Sequence, residues 1–231
     1  MAALPVLGRR NWVDDLSAGT RQALLAIGRP RRFPAGATIY CATETPDGVF
    51  LIASGSAYMH LGRRSGEMLL LRIARQGEVF GELVALDASP APVFASARTD
   101  LNVISFPRLE FARLKTTYPE IRDALILALS VHLRASFQLM EEIALLSLPE
   151  RARVRLSTLA LEVAPQRIGH EAVALDITQA ELALMLAASR PATNKVLAAL
   201  EEAGEIALRF KVIEVRPSLI DALHRRDAVP A

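Results

Sequence analysis

Apolar and polar positions change rhythm twice along this chain. Between Phe33 and Phe106 the apolar residues come in short runs, at residues 37–42, 49–53, 57–61, 68–74, 93–97 and 101–106, with glycines between or beside them. Val, Ile, Phe or Tyr occurs in every run, and turn signals recur at the spacing of a compact all-β unit. The pattern predicts an antiparallel β-roll of the jelly-roll type, with a helix over residues 16–27 packed before it. Between Pro119 and Pro149 no glycine or proline occurs, and good helix formers dominate. One stripe there, Leu125, Leu129, His132, Ser136, Leu139, Ile143 and Leu146, steps alternately by four and three, which is a heptad seam. A helix of that length reaches about 40 Å. Its flanks, Ile126, Leu127, Ala128 and Val131, are apolar too, so one face can cover the β-unit while the seam meets a second copy.

The second change of rhythm comes at Ser147. A serine with Glu150 three residues on is a capping box, and Pro149 suits a first helical turn, so a new helix is expected over residues 148–163. Thr178 and Glu181 repeat the device and open a helix carrying Leu182, Leu184, Met185 and Leu186. After a break at residues 187–189, Ser189 caps a further helix from Arg190 to about residue 203, with Val196, Leu197 and Leu200 inside. Gly204 is placed to end that helix in the left-handed conformation. Residues 206–209 and 212–215 alternate and can pair as a hairpin. Two short helices with a tight turn, then a hairpin, make a winged helix-turn-helix. The fold class is therefore α+β, with a roll at residues 1–118, a dimerisation helix at 119–147 and the winged unit at 148–231.

In such a unit the second helix enters the major groove with its N-terminal residues nearest the bases, where free N–H groups and the helix dipole also favour phosphate. Arg190 stands there with a fork of donors suited to guanine. Asn194 and Lys195 follow one turn later, and Thr193 is placed for a thymine methyl or a phosphate. Ser189 and Pro191 complete the start of the helix, Thr178 and Gln179 are placed for backbone phosphate, and Arg209 and Lys211 belong to the wing. Taken singly, Arg190 and Lys195 read as solvated surface charges. The capped pair of helices around them changes that reading.

Charge and composition add limits rather than direction. The chain has 231 residues, 52% of them hydrophobic and 23% charged, with a formal net charge of +2, an ordinary globular balance. Residues 150–231 hold 11 basic and 11 acidic residues, so nucleic-acid binding rests on where the charges sit. Cys41 is the only cysteine, which suits a reducing cytoplasm and provides no disulfide or iron–sulfur cluster. No basic segment precedes a sustained apolar run at the start, and no apolar stretch is long enough to span a bilayer. No metal-spaced His/Cys cluster, phosphate-cradling Gly-Lys-Ser loop or nucleophile elbow points to an enzyme.

Six motifs in order carry a resemblance to the Crp/Fnr family, over about residues 33–217. Residues 34–40 (PAGATIY) resemble the first strand pair of its roll, 50–56 (FLIASGS) its central strand and turn, and 76–83 (QGEVFGEL) the opening of its phosphate-binding cassette. Residues 177–182 (ITQAEL) and 188–197 (ASRPATNKVL) are similar to its two DNA-binding helices, and 200–206 (LEEAGEI) to the approach to its wing. The resemblance implies a homodimer with a cyclic-nucleotide-binding-like roll, palindromic DNA sites, double-stranded DNA as partner, and contact with RNA polymerase. It also implies an effector pocket at Gly81, Glu82, Leu83, Ala91, Pro92 and Val93, completed by Gln138 and Leu139 on the dimer helix. Cyclic-nucleotide-binding members follow Gly-Glu-Leu by an Arg-Ser or Arg-Ala pair that grips the phosphate. Ala91 and Pro92 stand there, removing both the charge and a backbone donor. Cyclic AMP and cyclic GMP are therefore disfavoured, no cofactor is expected, and the effector is left open: a cyclic dinucleotide, a metabolite, haem on His60 or His132, a redox switch at Cys41, or no ligand. A sensor whose winged domain contacts protein is the alternative to a DNA regulator.

Overall fold

The computed structural model describes residues 11–62, 67–164 and 171–220. The chain divides into two compact units, Arg10–Leu133 and one containing Arg134–Ala231, so that the division falls within the long helix.

The first unit opens with helix α1 (Ala18–Ala26) and continues through strands β1 (Arg29–Phe33), β2 (Thr38–Tyr40), β3 (Gly48–Ser54), β4 (Ser56–Gly62), β5 (Met68–Arg75) and β6 (Val79–Phe80). Helix α2 (Glu82–Asp87), strands β7 (Phe94–Ala97) and β8 (Leu101–Pro107), and helix α3 (Arg108–Thr117) follow. The strands form two four-stranded antiparallel sheets, in the orders β1-β8-β3-β6 and β2-β7-β4-β5. The expected runs are all strands, and β1 and β6 are additions. β1 was hidden by its arginines. It is a mostly exposed strand at the end of its sheet, paired with β8 from Arg29↔Ser105 to Phe33↔Leu101, and charge on such a strand discourages pairing with a further chain.

Two apolar cores hold the unit. Phe50, Ile52, Phe80 and Val103 from one sheet meet Tyr40, Ala57, Met59 and Ala95 from the other. Phe50 and Phe80 stack with ring centroids 5.1 Å apart, and Tyr40 lies 6.2 Å from each. Burying each such side chain contributes about 1.5–3 kcal/mol. On the outer side of the first sheet, Val49 and Phe106 pack with Trp12, Leu24, Phe111, Ile121 and Leu125.

Helix α4 (Pro119–Leu145) is the long uninterrupted helix expected from the sequence. Its seam requires a correction. Leu125 is 1% exposed and belongs to the core beside Phe111 and Ile121. His132 reaches Arg72 of its own roll. Of the exposed large apolar residues of α4, Ile126, Leu133, Phe137 and Met140 lie one residue on from the predicted stripe, Ile143 lies on the stripe, and Leu127 and Leu145 lie off both. Both rows recur at heptad spacing, so periodicity alone cannot choose which row meets the home domain. Packing of Ile121, Ala124, Leu125 and Ala128 decides it.

In the second unit, helix α5 (Leu148–Val163) starts with the expected capping box at Ser147 and Glu150. Arg155 on α5 donates to Glu142 on α4 at 2.8 Å, both largely buried. Strand β9 (Val173–Leu175), helices α6 (Gln179–Met185) and α7 (Arg190–Glu202), and strands β10 (Ile206–Arg209) and β11 (Val212–Val215) complete it. The hairpin has the expected limits, and β9 adds a third strand in the order β10-β11-β9.

Candidate nucleic-acid interface

The two helices of the helix-turn-helix start as the side chains at their caps dictate. Thr178 Oγ accepts from the Glu181 N–H at 3.1 Å, while the Glu181 carboxylate accepts from the Thr178 N–H at 2.7 Å. Ser189 Oγ accepts from the Ala192 N–H at 3.4 Å, and Pro191 sits in the first turn. Between the helices Ala187 takes φ 49°, the left-handed turn, with no glycine to ease it. Gly204, with φ 72°, ends α7 as expected.

Along α7, Leu197 and Leu200 are buried, while Arg190, Pro191, Asn194, Lys195, Ala198 and Ala199 are exposed. Arg190 and Asn194 therefore share an exposed face with the small Ala198, which lets the helix approach a surface closely. Thr193 is a correction: it is 0% exposed, and its hydroxyl has no hydrogen-bond partner. Its position one turn from Leu197 puts it on the inner row, out of reach of a groove. Gln179 and Thr178 are half-buried at the start of α6, the Thr178 hydroxyl being committed to the cap. The wing displays Arg209 and Lys211 and, between them, the fully displayed ring of Phe210.

The roll holds a second candidate site, a group of ionisable residues between β5, β6 and α4. Arg72 donates to the Val79 carbonyl at 2.7 Å and lies 3.3 Å from His132 Nε2 and 3.9 Å from the Glu78 carboxylate. Glu82 is buried at the start of α2, after Gly81 in the left-handed conformation with φ 88°. A Cβ at Gly81 would lie 3.1 Å from the Gly48 carbonyl, so a turn against β3 requires glycine there. Burial, and next the Glu82 carboxylate, push the Tyr40 hydroxyl well above its usual range. Burial, and next Arg72, hold the His132 imidazole below its usual range, with Glu82 opposing.

Two family models match in the order the elements run: a cyclic nucleotide-binding domain at residues 30–118 and a Crp-like helix-turn-helix domain at residues 145–219. The chain belongs to the Crp/Fnr family. It is 29% identical over 215 residues to a CRP-like cAMP-activated global transcriptional regulator of Mycobacterium tuberculosis, covering 92% of this chain and 95% of that protein. It is 28% identical over 196 residues to the cyclic AMP receptor protein of Thermus thermophilus, covering 85% and 88%. The solved structure of the c-di-GMP responsive regulator CLP of Xanthomonas campestris matches the fold with a TM-score of 0.73 at 24% identity, covering 87% of this chain and 99% of that one. As a member of the Crp/Fnr family the protein is a DNA-binding transcription regulator, and the members of that family are not enzymes. Among the described residues no helix is long and apolar enough to cross a membrane.

Glu82 and Ala91 are buried in the roll, but the Ala91 N–H and carbonyl are spent on Glu44 and Thr43, at 2.7 and 2.9 Å. Leu83 is exposed on α2. Pro92 is exposed and Val93 half-buried. The Gln138 amide donates to Thr158 of α5 at 3.5 Å. Its neighbour Leu139 is half-buried. Arg72 was missed, although a lone cation inside the apolar run at residues 68–74 was the signal. His60 stacks on Phe94 at 5.3 Å as a packed histidine, and burial and next Glu44 push the Cys41 thiol up, away from reactive thiolate.

Proposed function

We propose that the protein is a homodimeric, sequence-specific regulator acting on palindromic DNA, and that cyclic AMP does not control it. The observation that carries the DNA reading is the exposed row of Arg190, Asn194 and Lys195 at the start of a capped α7. A fork of donors at the first turn suits a guanine edge, and an amide one turn later suits adenine. The exposed Ile126, Leu133, Phe137 and Met140 of α4 support dimerisation, because they step as a heptad row. Two-fold symmetry would then require palindromic sites with half-sites about one helical turn apart. RNA polymerase is the further partner such a complex would engage.

Control by something other than cyclic AMP is supported by the chemistry at the cassette. Ala91 has no charge, its backbone groups are already bonded, and Pro92 has no N–H. Arg72, whose charge acts on Tyr40 and His132 together with that of the buried Glu82, is engaged by the Val79 carbonyl and His132. A cyclic phosphate entering there would have to compete for that guanidinium.

Selection of bound sequences from random duplex DNA, with and without cyclic AMP, tests these statements together. The expected result is one palindromic site, selected equally in both arms. A site that emerges only with cyclic AMP would overturn the effector statement, a non-palindromic site the dimer geometry, and selection of no duplex the DNA reading in favour of a protein-contacting wing.

A further inference from the structure

We propose that Phe210, at the tip of the wing, inserts into the DNA minor groove beside the sequence read by α7, as an apolar wedge against a base step. The proposal rests on the DNA-binding reading and adds a contact of a different kind to it. Phe210 is 88% exposed, the most exposed large apolar side chain among the described residues. Nothing in the fold requires a ring at that position: the core of the hairpin is made by Ile206, Ile213 and Val215, and Phe210 lies beyond the last pair, Arg209↔Val212.

The neighbours of the ring argue for nucleic acid. Arg209 and Lys211 flank it, both exposed, with the Lys211 ammonium 5.3 Å from the ring centroid. The Arg209 pairing with Glu214 is loose, at 3.7 Å, and solvent-exposed, so it gives way readily to phosphate. Apolar side chains, phenylalanine among them, unstack and kink base steps from the minor groove, while adjacent cations bind the backbone. A protein-docking surface would call for neighbouring apolar area, and at this tip the neighbours are cations.

The backbone supplies a second, independent observation. Lys211 takes φ 59°, in the left-handed region, where a two-residue hairpin ordinarily places glycine or asparagine. A lysine there is strained, and its ammonium lies over the ring. The tip is also anchored to the reading helix. The Leu208 N–H donates to Glu201 of α7 at 2.7 Å, and Arg153 holds Glu205, between helix and hairpin, with two bonds of 2.7 and 3.0 Å. A duplex engaged by α7 therefore meets a fixed wing.

The test uses the full chain, its selected operator, and duplexes carrying 2-aminopurine at successive positions in both flanks. Phe210→Ala should weaken binding about tenfold, as loss of an aromatic–base contact does, and abolish a fluorescence rise seen at one flanking step, with the melting temperature unchanged. Phe210→Trp should keep both signals. Lys211→Gly should raise the melting temperature by relieving the left-handed lysine, yet bind more weakly and with a shallower salt dependence. Unchanged affinity for Phe210→Ala, with no flanking position reporting unstacking, would overturn the wedge while leaving the α7 reading intact. The same result, joined to a loss of transcription with purified RNA polymerase, would assign the ring to a protein contact. Failure of the unaltered chain to bind any duplex would overturn both.

Discussion

Arg190 and Thr193 are three residues apart on α7 and have opposite fates, one exposed and one sealed. Replacing Arg190 with alanine should cost about 1–3 kcal/mol of specific binding and relax the preference at one base pair per half-site, measured by competition against operator variants. Unchanged preference would remove Arg190 from base reading. Thr193→Val should behave oppositely. The Thr193 hydroxyl is buried without a partner, so removing it should leave DNA affinity unchanged and raise stability by up to about 1 kcal/mol, read from the thermal midpoint. His132 carries a pH dependence. Burial and next Arg72 disfavour its protonated form, with Glu82 opposing. As pH falls through about 6.5 the unfolded chain takes up that proton before the folded one, so stability declines from there downward. His132→Gln should flatten this slope, and equal slopes in denaturant titrations of both proteins would clear His132 as its source.

At the level of elements, caps and ion pairs decide where helices begin and how they join. The capping boxes at Ser147 and Thr178 were legible because both partners lie within four residues. The Arg155–Glu142 pair was not, because its partners sit on different helices. Burial pushes the Glu142 carboxyl up and Arg155 pulls it back, so the ion depends on its partner. Arg155→Ala should therefore destabilise the second unit by about 3–5 kcal/mol, much of it regained when Glu142→Ala is added. A double variant as unstable as the single one would mean that the arginine acts by packing alone.

At the level of the whole molecule, the exposed row on α4 makes a prediction that the seam first read from the sequence does not. Leu133→Glu with Phe137→Glu places charges on exposed positions, so the chain should fold and sediment as a monomer, with operator affinity greatly reduced. Leu125→Glu would bury a charge in the roll's own core and should prevent folding instead. A dimer that survives both charges on the exposed row would place the two-fold axis elsewhere.

The sequence by itself determined what short-range physics decides. Short apolar runs between glycines placed most of the strands, side-chain caps started α5, α6 and α7, Gly204 ended α7, and alternation at hairpin spacing drew the wing. The order of those elements also carried the Crp/Fnr resemblance and the candidate residues Arg190, Asn194 and Lys195. Only tertiary structure decided which of two equally periodic rows of α4 packs inward, that Thr193 is sealed beneath α7, and that Arg72 and His132 meet across 60 positions of sequence. Periodicity reports that a face exists. Which neighbour covers that face depends on contacts between residues distant along the chain, and those form only when the elements pack.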